Sequence, residues 1–186
     1  MRKYTRLLSV LLFLVLLLAI FELSGLRSHF SLSFLHQTLA DNPLSGFFVF
    51  ILVFALGNLV QIPGWIFLAA AVLALGRTWG GLATYIAALL SCSATFFAIR
   101  LVGGDALRNL NGKLATRLLS QLDAHPIRNI VLLRMLFQTV PVLNYTLAMS
   151  GVRFRDYLVG TLLGLPLPIM AYCVFFDYLS VRLHLH

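Results

Sequence analysis

Carboxylates are the scarcest chemistry in this chain. Six Asp and Glu side chains stand against fourteen Lys and Arg in 186 residues. None of the six lies in either of two apolar stretches, 44–76 and 127–151, that break early at a proline. With no nucleophile beside a base, no metal set and no phosphate-cradling loop, an enzyme is not expected, and neither is a metal or cofactor. The two cysteines, Cys92 and Cys173, both fall in apolar segments. Their separation excludes a metal-ligand spacing or a disulfide framework, so they read as packing thiols. Charge of either sign is rare, at 11% of residues, while hydrophobic residues make up 60% and mean hydropathy is +0.94. Soluble domains carry about 25% and about 45–50% respectively, which excludes an ordinary water-soluble core. The composition defines a single compact integral membrane domain.

A net charge of +8 would suit nucleic acid, but the basic residues are not clustered with aromatics in a polar module. They sit at the ends of apolar segments, where they set topology and meet anionic lipid head groups. Membrane lipids are the expected partners, nucleic acid is not, and a homo-oligomer stays open. Arg2, Lys3 and Arg6 precede a leucine-rich run from Leu7 to Phe21 with no small-residue cleavage site after it. This reads as an uncleaved signal anchor followed by an interfacial segment, together 1–43. Asp41 and Asn42 before Pro43 read as a helix cap.

The membrane domain, 44–182, divides into a hairpin over 44–76, a helix over 80–103, a cytoplasmic linker over 104–126, a second hairpin over 127–151 and a helix over 156–182. Each apolar arm around Pro63-Gly64 and around Pro141 is shorter than the ~20 residues a spanning helix needs. In the linker, leucines at 107, 110, 114, 118 and 122 share one helical face. That face suits either the membrane surface or a solvated linker. If both broken segments turn back, the N-terminus, Arg100, Lys113 and Arg153 all face the cytoplasm. If 44–75 crossed once, the basic loop around Lys113 would move outside, against the positive-inside rule. The predicted fold is therefore all-α: a polytopic membrane protein with two inverted re-entrant hairpins and about three spanning helices. Paired broken segments of opposite direction are the sequence pointer to a translocation path.

Arg134 lies about two helical turns inside an apolar arm. A charge there costs roughly 2.5–3.5 kcal/mol on insertion scales, so it is functional or paired. It could hold a phosphate in bidentate fashion, pair with Asp105 or Asp123, or snorkel to the inner face. Gln61 beside Pro63, and Asn144 with Tyr145 after Pro141, sit where a proline frees a backbone carbonyl. They could satisfy that backbone or present donors and acceptors to a passing polar group. Arg100, closing the 80–103 helix, reads first as a snorkelling anchor.

Ile62-Pro63-Gly64, Gly76, Gly80-Gly81 and Phe97-Ala98-Ile99-Arg100 form an ordered set of short elements. It continues with Leu133-Arg134, Pro141, Asn144-Tyr145, Val152 to Tyr157 and Gly160 to Pro166. Over roughly Leu44 to Leu179 the chain resembles the DedA-like, VTT-domain (SNARE-associated Golgi protein) family. That resemblance implies a lipid-translocating protein with two facing re-entrant hairpins. Arg134 would match the arginine of the second hairpin and Arg100 the one closing the helix after the first. The DedA branch usually carries acidic residues around the first hairpin, where this chain has Gln61. The expected function is a scramblase- or flippase-like movement of phospholipid or polyprenyl-phosphate head groups through a polar cleft open sideways to lipid. It would work in the cell inner membrane with the N-terminus cytoplasmic. An ion-coupled small-solute transporter and a non-transporting assembly factor are the alternatives.

Overall fold

A computed structural model describes residues 2–23, 43–109, 113–137, 140 and 142–182. Every element among them is helical: α1 (Arg2–Leu23), α2 (Pro43–Leu59), α3 (Gly64–Gly103), a 3-10 turn (Ala106–Asn109), α4 (Lys113–Ala124), α5 (Pro126–Phe137), α6 (Val142–Met149), α7 (Phe154–Gly164) and α8 (Pro166–Arg182). The expected interfacial segment 28–42 with its Asp41-Asn42 cap, and the break at Gln138, Thr139 and Pro141, lie outside the described residues.

The first break is built from backbone hydrogen bonds. The Ile62 N–H donates to the Gly57 carbonyl at 2.8 Å and the Gln61 N–H to the Asn58 carbonyl at 3.4 Å. This is the Schellman closure, which needs a left-handed residue between them. Gln61 takes that role at φ 67°, where glycine is the usual occupant. Pro63, extended at φ −62° and ψ 132°, then starts α3. The chain doubles back here, because Phe54 of α2 and Phe67 of α3 bring their ring centroids within 4.6 Å.

α3 is not one rod. Gly76 departs from helical geometry at φ 77° and ψ 172°, dividing the helix into limbs 64–75 and 77–103. The limbs fold against each other so closely that a Cβ on Gly80 would stand 2.4 Å from the Ala71 carbonyl oxygen. In an unbroken helix those two residues would be about 13 Å apart along the axis.

Lipid tails are as apolar as leucine, so helices in a bilayer gain little from burial alone and associate through close packing and polar contacts. Small residues recur on the buried face of α3, among them Ala70, Ala71, Gly80, Ala83, Thr84, Ala87, Ala88, Ser91 and Thr95, alongside larger ones such as Phe67, Leu68, Phe96 and Ile99. Other large apolar side chains, such as Leu12, Leu52, Leu90, Met170 and Phe175, are exposed, a surface that suits hydrocarbon. Two runs, Gly64–Gly103 and Phe154–Ser180, are long and apolar enough to cross a membrane.

Two apolar cores result. One gathers Phe50, Phe54, Phe67 and Leu68 with Leu165 and Ile169, joining α2, α3 and α8. The other gathers Phe96, Ile99, Ile130, Leu143, Leu147 and Tyr157, joining α3, α5, α6 and α7, with Val10 of α1 at its edge. In the second hairpin α5 packs chiefly on α7, and α6 chiefly on α3.

Candidate functional site

Between the two cores runs a buried polar layer. The Asn58 amide, one turn before the first break, donates to Ser91 Oγ at 3.0 Å and to Thr95 Oγ1 at 3.4 Å. Ser91 passes its own proton to the Phe54 carbonyl at 3.4 Å. From the second hairpin, Asn144 Nδ2 donates to Asn58 Oδ1 at 2.9 Å, joining the two hairpins directly. The Tyr157 hydroxyl of α7 lies 3.2 Å from Asn144 Oδ1 and 3.1 Å from the Cys92 carbonyl, with one proton for these two acceptors. Arg134 completes the relay, its Nη2 donating to the Tyr157 hydroxyl at 2.8 Å and to Thr161 Oγ1 at 3.2 Å. Where Tyr157 donates to Asn144, the bonds run head to tail from Arg134 through Tyr157, Asn144 and Asn58 to Ser91, which lets each polarise the next.

Arg134 is 2% exposed. Its guanidinium carbon lies 5.3 Å from the Tyr157 ring centroid, and its Nε has no hydrogen-bond partner among the described residues. The two carboxylates expected as pairing candidates are engaged elsewhere. Asp105 pairs with Arg100 at 3.0 Å, and Asp123 accepts both terminal nitrogens of Arg108 at 3.1 and 2.6 Å. Those two pairings for Arg134, and its snorkelling alternative, are therefore corrected: the arginine is buried and held by a phenol ring, two hydroxyls and no described carboxylate. Burying a cation without an opposite charge is costly, and a phenol face plus neutral acceptors offset only part of that cost.

A cavity of about 30 Å³ adjoins Arg134, lined also by Asn58, Gly64, Thr84 and Asn144. It is water-sized. Thr84 Oγ1, like Arg134 Nε, is buried without a partner among the described residues. Where the sequence predicts a cleft open sideways to lipid, the molecule has a closed polar layer with Asn58 and Asn144 only 6% and 4% exposed. Interlocked amides close it.

The other expected residues divide into roles. Beyond the Schellman turn no helical N–H follows in register for the Leu59 carbonyl, because Gln61 is left-handed and Pro63 extended. Tyr145, from the opposite hairpin, donates its hydroxyl to that carbonyl. Tyr145 also lies beside the Gln61 side chain, whose amide makes no hydrogen bond to the described residues. Backbone satisfaction at the first break thus comes from Tyr145, while Asn144 bonds side chain to side chain. Arg100 stands outside the layer. It donates to the Ala148 carbonyl at 2.8 Å and packs its guanidinium over Phe96 at 5.6 Å. Phe96 in turn contacts Tyr157, with centroids 4.5 Å apart. Arg108 adds a bond from Nε to the Ser150 carbonyl at 2.8 Å, so two arginines fasten the C-terminal end of α6. Hydrogen bonding to Asp123 raises the proton affinity of Arg108 further above its ordinary value.

Sequence reasoning missed Asn58, Ser91, Thr95, Tyr157 and Thr161 as site residues. A signal was there: Ser91 with Thr95, and Tyr157 with Thr161, are hydroxyl pairs four apart on one helical face. Asn58 interrupts an otherwise apolar run from Phe47 to Val60.

Apolar helices with a lipid-suited exterior and a polar interior layer define a membrane protein of the broken-helix kind. A family model of the VTT domain matches residues 62–178, more than half of the chain, and the protein belongs to that DedA-like, VTT-domain family. No curated protein and no solved structure matches it significantly.

Proposed function

We propose that this membrane protein moves the phosphate-bearing head groups of lipids between leaflets, with the interlocked hairpins as the gate. In this reading both hairpins are re-entrant. The first enters from outside and the second from the cytoplasm, with the N-terminus cytoplasmic in a cell inner membrane. The observation that carries the proposal is Arg134, a buried cation without a described carboxylate, with a free Nε, beside a polar cavity where the two hairpins meet. An anionic head group would supply the missing charge, and a guanidinium matches phosphate geometry. Its acyl tails would stay in hydrocarbon.

A water-sized cavity admits no head group, so Asn58 and Asn144 must part before one passes. The freed amides and hydroxyls then replace water that the head group loses. No carboxylate lies in either hairpin to couple movement to protons, which favours scrambling or gradient-driven flipping over pumping. The test is purified protein in liposomes with a fluorescent anionic lipid. Accelerated transfer that Arg134→Ala abolishes supports the proposal, and an unchanged rate in that variant overturns it. Solute uptake without lipid transfer would favour a small-solute carrier. The re-entrant geometry is checked by cysteine labelling at Lys3 and Lys113, which must react from the same side.

A further inference from the structure

A second cavity, of about 600 Å³, lies on the outside of the bundle between the second limb of α3 and α8. Its walls include Leu82, Tyr85, Met170, Cys173 and Val174, and Arg77 is the one charged residue among its lining. The volume falls within the usual range for small-ligand pockets, which are apolar with a few fixed polar groups. Leu82, Met170 and Val174 are exposed along it, so its flank opens to hydrocarbon. At its mouth, Arg77 faces Asp177 at 3.7 Å, with both side chains substantially exposed. Such a pair holds its arginine weakly. Exposed Trp79 and Tyr178 sit beside these charges, as amphipathic aromatics do at a membrane–water interface.

We infer that this groove is a binding site for one phosphate-headed lipid, with the head group on Arg77 and an acyl tail along Leu82, Met170 and Val174. Charge complementarity selects the occupant. A soluble anion would use Arg77 and leave the apolar slot empty, whereas a lipid without a phosphate would use the slot and leave Arg77 idle. Only a phosphate-bearing amphiphile uses both.

The position of the groove gives the site a consequence. Tyr85 and Pro166 line the groove, while their chain neighbours Thr84 and Leu165 line the polar cavity beside Arg134. The wall they share is built from consecutive residues of the chain. It is pinned by the Tyr85 hydroxyl, which donates at 2.9 Å to the Leu162 carbonyl, the acceptor that Pro166 cannot serve. A lipid in the groove would thus lie against residues whose chain neighbours line the interior cavity. This last step, loading of the cavity from the groove, rests on the function proposed above; the binding site does not.

The test uses the full chain in liposomes with trace phosphatidylglycerol carrying a diazirine in its acyl chain. A diacylglycerol with the same tail and an excess of inorganic phosphate serve as separate arms. After illumination, the expected result is phosphatidylglycerol labelling on residues 166–174 several-fold above diacylglycerol labelling, and unaffected by inorganic phosphate. Leu82→Trp and Val174→Trp, from opposite walls and both lipid-facing, should each cut that labelling about fivefold. Arg77→Ala should lower phosphatidylglycerol labelling to the diacylglycerol level. Equal labelling by the two lipids, or labelling indifferent to both tryptophans in variants that melt like wild type, overturns the site. Competition by inorganic phosphate overturns it too, because the anion alone would then account for Arg77. Labelling is read without transport: groove labelling with no lipid transfer keeps this site and removes the proposed function, and transfer with no groove labelling does the reverse.

Discussion

The two hairpins solve the same problem, a helix broken among apolar helices, by different means. The first is closed on itself. Phe50, Phe54 and Phe67 pack in edge and tilted contacts with centroids 4.6–6.4 Å apart, and a Schellman turn ends α2. The second is spread, with α5 on α7 and α6 on α3, and it contributes the buried charge. Its short α6 is fastened at one end by Arg100 and Arg108 and presents Asn144 and Tyr145 to the first hairpin. The difference is one of division: aromatic packing holds the first hairpin, and polar contacts hold the short α6 of the second.

Four substitutions sharpen that contrast. Arg134→Ala has the largest expected effect, slowing lipid transfer about a hundredfold, the equivalent of about 2.7 kcal/mol; equal rates would leave the second hairpin without a special role. Next comes Asn144→Leu, which strands Asn58 Oδ1. Polar contacts between membrane helices average about 0.6 kcal/mol and reach about 1.7, so a double-mutant cycle with Asn58→Leu should return a coupling in that range. Zero coupling would mean that the amides do not join the hairpins. Tyr145→Phe should cost about 1 kcal/mol by orphaning the Leu59 carbonyl. The midpoint of thermal unfolding reads that loss, and an unchanged midpoint would mean that the Tyr145 bond does not support the first break. The smallest is Gln61→Gly, which removes a left-handed non-glycine residue and should stabilise the chain by about 1 kcal/mol. A thermal melt reads it. Stabilisation together with slower transfer would mark the Gln61 amide as working chemistry rather than mere turn filler.

Much of the scaffold was legible because breaks announce themselves locally. Pro63-Gly64, Gly76 and Pro126 each end or start a helix where the residue type dictates it, and the apolar runs between them set the elements. The site was legible only in part. Arg134, Asn144 and Tyr145 stand out as polar groups in apolar sequence, and the structure gathers Arg134 and Asn144 into one layer while Tyr145 bonds the backbone at the first break. What they touch was not readable. The Asn58–Asn144 bond spans 86 positions and the Tyr85–Leu162 bond 77, and no local rule fixes such a register. Pairing Arg134 with Asp105 or Asp123 was a reasonable expectation from charge alone. It fails because Arg100 and Arg108 hold those carboxylates at the far end of α6. Arg100, matched by resemblance to a site residue, reaches the layer only indirectly, over Phe96, which contacts Tyr157.

The proposed head-group movement requires the hairpins to part at Asn58 and Asn144. In a background lacking Cys92 and Cys173, Asn58→Cys with Asn144→Cys would place two thiols where the amides now meet, and oxidation would lock the gate. Lipid transfer in liposomes should fall to the protein-free rate on oxidation and return on reduction. Transfer at full speed through a demonstrably cross-linked pair would contradict it.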